Sequence, residues 1–181
     1  MNLLREYIRN LLVYVPPPPP GSREIQAVIN QYFSRYNPEE LQYDLDENME
    51  KMFDSILKNS NFNSDINYIK ELREATIFIV RKLKEYFKRP RPNVVAKNME
   101  LSWEGDIGQM TTAKSYSYPS GHTTQAYYIA YKLSDKYPSL RGAFLQLAEM
   151  ISQSRIDRGV HFPSDISAGK ELALGLYERE R

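Results

Sequence analysis

The sequence predicts an all-α fold, a single-domain bundle of about six to eight helices. From residue 22 onward, apolar residues recur at the three- and four-residue spacing of one helix face. No segment alternates apolar and polar residues over the length of a typical β-strand. With 181 residues, of which 41% are hydrophobic, the chain can bury the core of one domain.

The N-terminal residues divide into two parts that precede the periodic region. Residues 1–15 are an amphipathic arm, which makes self-association into a homo-oligomer a hypothesis. Residues 16–22 contain five consecutive prolines and then Gly21 and Ser22. Such a run favours extended polyproline II chain, and we favour a strap packed over the domain, with a stiff spacer or an adaptor-binding ligand as the alternatives. The globular domain is predicted over residues 23–181.

Three helices are predicted in the first half of the chain. The apolar face of the first consists of Ile25, Val28, Ile29, Tyr32 and Phe33, and that of the second consists of Met49, Met52, Phe53, Ile56 and Leu57. The third runs from about Asp65 to Lys88, with Ile66, Ile69, Leu72, Ile77, Val80, Leu83 and Phe87 facing inward. Pro90 and Pro92 are expected to end it.

The second half begins with a stretch that has no sustained period. Residues 93–119 carry Gly105, Gly108 and mixed polar groups, which predicts an irregular and lid-like connection. Three more helices follow at about residues 121–136, 139–155 and 163–177. Pro163 suits the start of the last helix, with Asp165 in its first turn.

Composition excludes several classes of function. The 24 Lys and Arg against 23 Asp and Glu give no overall attraction to nucleic acid, so no nucleic-acid partner is expected. Without cysteine the chain has no disulfide or thiolate metal site. No apolar run approaches the roughly 20 residues of a transmembrane helix. A soluble protein is predicted, cytoplasmic if Met1 is the native start, with a secreted or periplasmic location as the alternative.

Each of the two histidines in the chain lies among groups that suit phosphoryl transfer without a metal. His161 precedes Asp165 by four residues, a spacing at which a carboxylate can fix the imidazole tautomer and stabilise charge as the other nitrogen attacks phosphorus. His122 follows Ser120 and Gly121 at a predicted helix start, where free backbone N–H groups bind phosphate oxygens. His161 is therefore the predicted nucleophile and His122 the general acid.

Three cations are predicted to face the phosphate. Lys84 and Arg91 flank the end of the third helix, and Arg155 precedes His161 by six residues. The register of the first pair is ambiguous, because Lys82 has the same spacing to Arg89 and Pro90 as Lys84 has to Arg91 and Pro92. We favour Lys84 and Arg91. No metal and no cofactor are expected.

Some of these residues also have purely structural interpretations. Ser120 can serve only as a helix cap, Asp165 only as a charge in the first turn of a helix, and Arg155 only as a charge near a helix end. Trp103, Tyr116 and Tyr118 can line a substrate entrance or pack in the core.

Three ordered motifs resemble those of the type 2 phosphatidic acid phosphatase (PAP2) superfamily. They are Lys-x6-Arg-Pro from Lys84, Pro-Ser-Gly-His ending at His122, and Ser-Arg-x5-His-x3-Asp from Ser154 to Asp165. Together with the early proline run, they are most similar to soluble bacterial class A nonspecific acid phosphatases. The resemblance implies an all-α bundle that is transiently phosphorylated on His161, with Asp165 as its partner and His122 as proton donor. It also implies a phosphate cradle of Lys84, Arg91, Ser120, Gly121 and Arg155.

The sequence therefore predicts a metal-independent phosphatase that acts on small phosphate monoesters through a phosphohistidine. The main alternative is a lipid-phosphate or isoprenyl-diphosphate phosphatase. Further alternatives are a vanadate-dependent haloperoxidase, since the same cradle can hold vanadate, and a non-enzymatic module that binds phosphate or nucleic acid through its basic stretch.

Overall fold

A computed structural model describes residues 22–35, 48–103, 105 and 114–180. These residues form helices and no strand, so the predicted all-α class is confirmed. The α-helices are α1 (Ser22–Arg35), α2 (Met49–Asn59), α3 (Ile66–Phe87), α4 (Pro92–Asn98), α5 (Gly121–Lys136), α6 (Arg141–Asp157) and α7 (Pro163–Arg179), and a 3₁₀ turn covers Pro138–Leu140. The predicted arm and the five prolines of the strap lie outside the described residues.

Helix α5 is at the centre of the bundle and packs against α3, α6 and α7. The main apolar core surrounds it and includes Phe53 of α2 and Phe144 of α6, whose ring centroids are 6.2 Å apart. Full burial of a large apolar side chain stabilises a fold by about 1.5–3 kcal/mol. The core therefore holds together the helices whose ends form the site described below.

Helix α1 covers a second, smaller core. Ile25 and Val28 are fully buried in a cluster with Val95, Trp103 and Phe162. Phe33 was predicted to face inward, and this prediction is wrong, since 72% of its surface is exposed. Tyr32, which was also predicted on this face, does pack against the cluster, and its ring stands edge-on to that of Trp103 at 5.6 Å.

The irregular connection predicted from residue 93 is wrong at its start. Pro92 opens the short helix α4, which buries Val95 and Ala96. A proline ends a preceding helix, but its fixed φ also suits the first position of a new one. Residues 104 and 106–113, the middle of the predicted lid, lie outside the described residues.

The other helix limits are close to those predicted. Helix α3 ends at Phe87, with Lys88 in the left-handed region at φ 48°. Helix α6 begins at Arg141, slightly later than predicted, because a 3₁₀ turn precedes it. Within the described part of the chain, no helix is long and apolar enough to cross a membrane.

Candidate active site

Helix α3, the start of α5 and the turn between α6 and α7 meet at one cavity. They bring together the basic segment and both histidines. The cavity has a volume of about 340 Å³. Its described lining residues are Arg73, Ile77, Val80, Arg81, Lys84, Arg91, Lys114, Ser115, Gly121, His122, Gln125 and His161. Five of these are Lys or Arg and none is acidic, so the cavity is suited to an anion.

His161 lies between the carboxylate of Asp165 and the guanidinium of Arg91. Its Nδ1 lies 3.1 Å from Oδ2 of Asp165, and its Nε2 lies 3.1 Å from Nη1 of Arg91. A guanidinium can only donate, so this network assigns the proton to Nδ1 and the lone pair to Nε2. Burial and the charges of Arg91 and Lys84 lower the pKa of His161 well below its usual value. The imidazole is therefore neutral, with its lone pair on Nε2, and His161 lines the cavity.

Asp165 is fully buried and accepts three hydrogen bonds from the protein. Besides His161 Nδ1, the donors are the backbone N–H of Phe162 at 2.9 Å and Nη1 of Arg89 at 2.6 Å. Burial raises the pKa of Asp165, while Arg89 and the Phe162 amide act in the opposite direction. The backbone carbonyl of Asp165 also accepts a hydrogen bond from Ser120 N–H at 3.0 Å. This bond joins the segment that carries His122 to the segment that carries His161.

Arg89 lies behind the site rather than in it. Its side chain is only 2% exposed, and it bridges Asp165 to Glu24 of α1, with both ion pairs at 2.6 Å. It also donates to Ser164 Oγ at 2.7 Å and stacks over the Phe162 ring at 4.3 Å.

The sequence left two registers open for the basic pair, and the structure places Lys84 and Arg91 at the cavity. Lys82 is exposed and lies 5.4 Å above the ring of Phe78.

Lys84 is buried at the cavity wall close to Arg91. Its ammonium donates to the carbonyl of Tyr116 and to that of Ser117 at 3.3 Å. Burial and the charge of Arg91 lower the pKa of Lys84 to about 7, against the attraction of Asp165. Arg91 donates to the carbonyls of Ser115 at 2.8 Å and Val160 at 2.7 Å, and burial lowers its pKa to about 10. Both cations are thus fixed by backbone carbonyls.

His122 lies in the first turn of α5 and lines the cavity. Its Nε2 is buried and has no hydrogen-bond partner among the described residues. Burial lowers the pKa of His122 to about 3, and the charges of Arg73, Lys84 and Arg91 act in the same direction. A dianion in the cavity would oppose those charges and raise this pKa.

The remaining predicted cradle residues take different positions. Gly121 lines the cavity, and a Cβ there would be 3.3 Å from Val80 Cγ1. Ser120 is buried as the N-cap of α5, and its Oγ accepts from Thr123 Oγ1 at 2.9 Å. Arg155 is also buried, and its carbonyl accepts from His161 N–H at 3.2 Å. Neither Ser120 nor Arg155 belongs to the described cavity wall.

Several contributors were missed by the sequence analysis. Arg73 and Arg81 line the cavity on the same face of α3 as Lys84, at helical spacing, a signal that was present in the sequence. Lys114 lines it from the connection before α5. Glu24 had no such signal, because it meets Ser164 across 140 residues of chain.

A tight turn positions His161. Gly159 has φ +67°, and a Cβ built on it would lie 2.5 Å from Cζ2 of Trp103. Trp103 therefore packs in the core rather than at a substrate entrance, and Tyr118, which is buried against Phe87, does the same. The turn depends on the close approach of the Gly159 backbone to the indole ring of Trp103.

We expect Gly159→Ala to destabilise the protein by roughly 2 kcal/mol or more, because strain at positive φ adds to a steric clash. Gly142→Ala is the matched control, since that glycine is in helix α6 and nothing lies within 4 Å of its built Cβ. Urea unfolding of both variants measures the difference. Equal stability of the two variants would contradict this packing.

Comparison with known proteins identifies the family. The sequence model of the PAP2 superfamily matches residues 74–177, more than half of the chain, and this range includes every described lining residue of the cavity except Arg73. The chain belongs to the PAP2 superfamily. The predicted family is confirmed.

Two bacterial relatives are similar over most of the chain. An acid phosphatase of Zymomonas mobilis is 29% identical over 178 residues, which are 91% of this chain and 66% of the relative. A non-specific acid phosphatase of Salmonella typhimurium is 28% identical over 185 residues, 94% of this chain and 73% of the relative. The chain thus spans about two thirds to three quarters of their length. These relatives support the predicted class of phosphoric monoester hydrolase and the predicted similarity to bacterial nonspecific acid phosphatases.

Two further proteins extend the comparison. A lipid A 1-phosphatase of Rhizobium johnstonii is 40% identical over 63 residues, 34% of this chain and 24% of the relative. The solved transmembrane PAP2 type phosphatidylglycerolphosphate phosphatase of Bacillus subtilis superposes with a TM-score of 0.56 at 18% identity, covering 98% of this chain and 92% of the other. That structure supports the all-α PAP2 fold.

Proposed function

We propose that this PAP2 protein hydrolyses phosphate monoesters through a phosphohistidine at His161, without a metal. The observation that carries the proposal is the orientation of His161. Its Nδ1 contacts Asp165, and its Nε2 meets Arg91 at the wall of a cavity that also presents Lys84 and His122. A neutral imidazole with an oriented lone pair beside two fixed cations is what in-line attack on a phosphate requires.

In the first step, Nε2 of His161 attacks phosphorus and the ester P–O bond breaks. The leaving oxygen takes a proton from His122, whose pKa rises when the phosphate dianion binds. Asp165 stabilises the positive charge of the phosphoimidazole. Arg91, which donates to Nε2 in the free protein, transfers that donation to a phosphate oxygen.

In the second step, water attacks the phosphorus of phosphohistidine. His122, now neutral, accepts the proton of the water, and the P–N bond breaks so that its electron pair returns to Nε2 of His161. The sum of both steps is one ester and one water giving one alcohol and one phosphate. Lys84 and Arg91 offset the charge on the phosphoryl oxygens in both steps.

Metal independence is part of the proposal, since the cations can supply the charge stabilisation that a metal would otherwise provide. Among the described residues, no group of three or more His, Asp or Glu side chains could hold a metal ion. The direct test is hydrolysis of p-nitrophenyl phosphate across pH 4 to 8 in the presence of a chelator. We expect turnover to survive the chelator. Absence of turnover, or its loss on chelation, would overturn the proposal.

The pH dependence should reflect Lys84. Because its pKa in the free protein is about 7, Lys84 is charged and binds phosphate below that pH and is neutral above it. His122 must gain its proton on substrate binding, so kcat/KM already declines below that pH, and we expect the decline to become steeper as the pH rises through about 7. Lys84→Arg should move this alkaline limb upward, because arginine stays protonated, whereas Lys82→Gln should leave it in place. An alkaline limb that does not move in Lys84→Arg would assign it to another group.

A lipid phosphate is the second candidate substrate class. The observation that favours it is the match to lipid A 1-phosphatases, which covers 34% of the chain for the Rhizobium johnstonii protein. Hydrolysis of phosphatidic acid in mixed micelles, compared with that of glycerol 3-phosphate, separates the two classes. A much higher kcat/KM for the lipid would assign the site to lipid substrates.

A further inference from the structure

The cavity contains more positive charge than one phosphate needs. Lys84 and Arg91 lie beside His161 and can offset the two negative charges of a phosphate monoester. Arg73, Arg81 and Lys114 line the same cavity and have no counterpart among the motif residues. None of the described lining residues is acidic, although Arg73 also pairs with Glu50 of α2, which lies outside the cavity wall.

Two of the additional cations, Arg73 and Arg81, lie along helix α3. Arg73 and Lys84 are eleven positions apart, which corresponds to about 16 Å at 1.5 Å per residue. Arg81 lies between them, and Ile77 and Val80 fill the wall at the intervening turns. A cavity of about 340 Å³ is in the range that holds a small organic ligand rather than a single phosphate ion. The positive wall therefore continues beyond the phosphoryl group under attack.

Arg73 is fixed in position. Nη1 of Arg73 donates a hydrogen bond to Glu50 of α2 at 2.5 Å, while 30% of the Arg73 side chain is exposed. Nε of Arg73 is buried and has no hydrogen-bond partner among the described residues. Arg73 and His122 line the same cavity, and the charge of Arg73 lowers the pKa of His122. Both observations place Arg73 with the residue that would protonate the leaving oxygen.

We propose that Arg73, Arg81 and Lys114 form a second anion subsite on the leaving-group side, so that the preferred substrates carry a second phosphate besides the one hydrolysed. This inference rests on the proposed phosphatase function. With a bisphosphate, His161 attacks the first phosphorus, its P–O bond breaks, and the leaving alcohol takes a proton from His122 while its remaining phosphate stays on Arg73. With a diphosphate, the bridging oxygen leaves and the departing phosphate itself occupies the subsite.

The test compares kcat/KM for fructose 1,6-bisphosphate, pyrophosphate and fructose 6-phosphate. We expect the natural protein to favour at least one of the first two by about tenfold, the effect of one charge-assisted contact. Arg73→Gln and Arg81→Gln should each reduce the ratio of bisphosphate or diphosphate to monophosphate several-fold. Lys82→Gln, an exposed lysine of α3 outside the cavity wall, should leave the ratio unchanged.

The outcomes separate this inference from the function on which it rests. Hydrolysis of p-nitrophenyl phosphate without any preference for a second phosphate would overturn the subsite and leave the phosphatase proposal standing. A preference that persists in both arginine variants would also overturn it. A preference for pyrophosphate alone places the second phosphate next to the scissile bond, and one for the bisphosphate alone places it further out. No hydrolysis of any phosphate ester would overturn the proposed function itself.

Discussion

Replacing His161 by Asn should lower kcat for p-nitrophenyl phosphate by about a thousandfold or more, because the only nucleophile of the proposed mechanism is lost. Phosphate should still bind, since Lys84 and Arg91 keep the backbone contacts that fix them. We therefore expect a large loss in kcat and a small change in the inhibition constant of inorganic phosphate. Steady-state kinetics with phosphate as competitor measures both.

His122→Asn is the matched control for this variant. Loss of a general acid costs typically about 10²–10⁴-fold, and less for a good leaving group, because nitrophenolate departs with little need for a proton. The His122 variant should therefore retain relatively more activity on p-nitrophenyl phosphate than on an alkyl phosphate, whereas His161→Asn should lose both equally. Comparable activity of the natural protein and His161→Asn would contradict the assignment of the nucleophile.

Replacing Arg89 by Gln should reduce both stability and turnover. The variant leaves the carboxylates of Asp165 and Glu24 without their shared cation at a site where Arg89 is only 2% exposed. Removing one partner of a buried ion pair costs about 3–5 kcal/mol. At about 2–4 °C per kcal/mol for a chain of this size, the melting temperature should fall by roughly 10 °C. Differential scanning calorimetry measures the change.

The kinetic part of this prediction distinguishes positioning from a purely structural role. Arg89 holds Asp165, which in turn orients His161, so kcat should fall while KM changes little. Arg89→Lys should restore part of the turnover because the charge is kept. Lys82→Gln is the control, since an exposed substitution of this kind changes stability by less than about 0.5 kcal/mol. Equal damage from Lys82→Gln would show that the alternative register, with Lys82 at the site, is correct.

Local sequence information predicted most of the helices and the pairing of His161 with Asp165. The spacing of His161 and Asp165 gave their pairing, because four residues across a tight turn and a helix start bring the two side chains together. The limits of α5 and most of α7 followed from the cap at Ser120 and from Pro163. Periodicity fails where a residue lies at the edge of an apolar face, as with Phe33, or where a proline begins a helix, as Pro92 does.

The parts of the site that were missed depend on contacts between distant segments. No local pattern links Glu24 to Arg89, because the bundle alone brings α1 to the end of α3. Ser120 matched the motif of a phosphate cradle, and it is also the N-cap of α5, where its Oγ accepts a hydrogen bond from Thr123 Oγ1. Whether a cation on α3 faces the cavity or solvent, as for Arg81 and Lys82, is decided by how α3 packs on α5.

The central claim is that phosphate is transiently bonded to His161, and the most direct measurement is to trap that intermediate. The protein is mixed with ³²P-labelled substrate, quenched within milliseconds in alkali, digested and mapped by mass spectrometry. The proposed mechanism predicts an acid-labile, alkali-stable label on the peptide that contains His161, absent from His161→Asn and more abundant in His122→Asn. Turnover without any covalent label in His122→Asn, or a label on another residue, would contradict it.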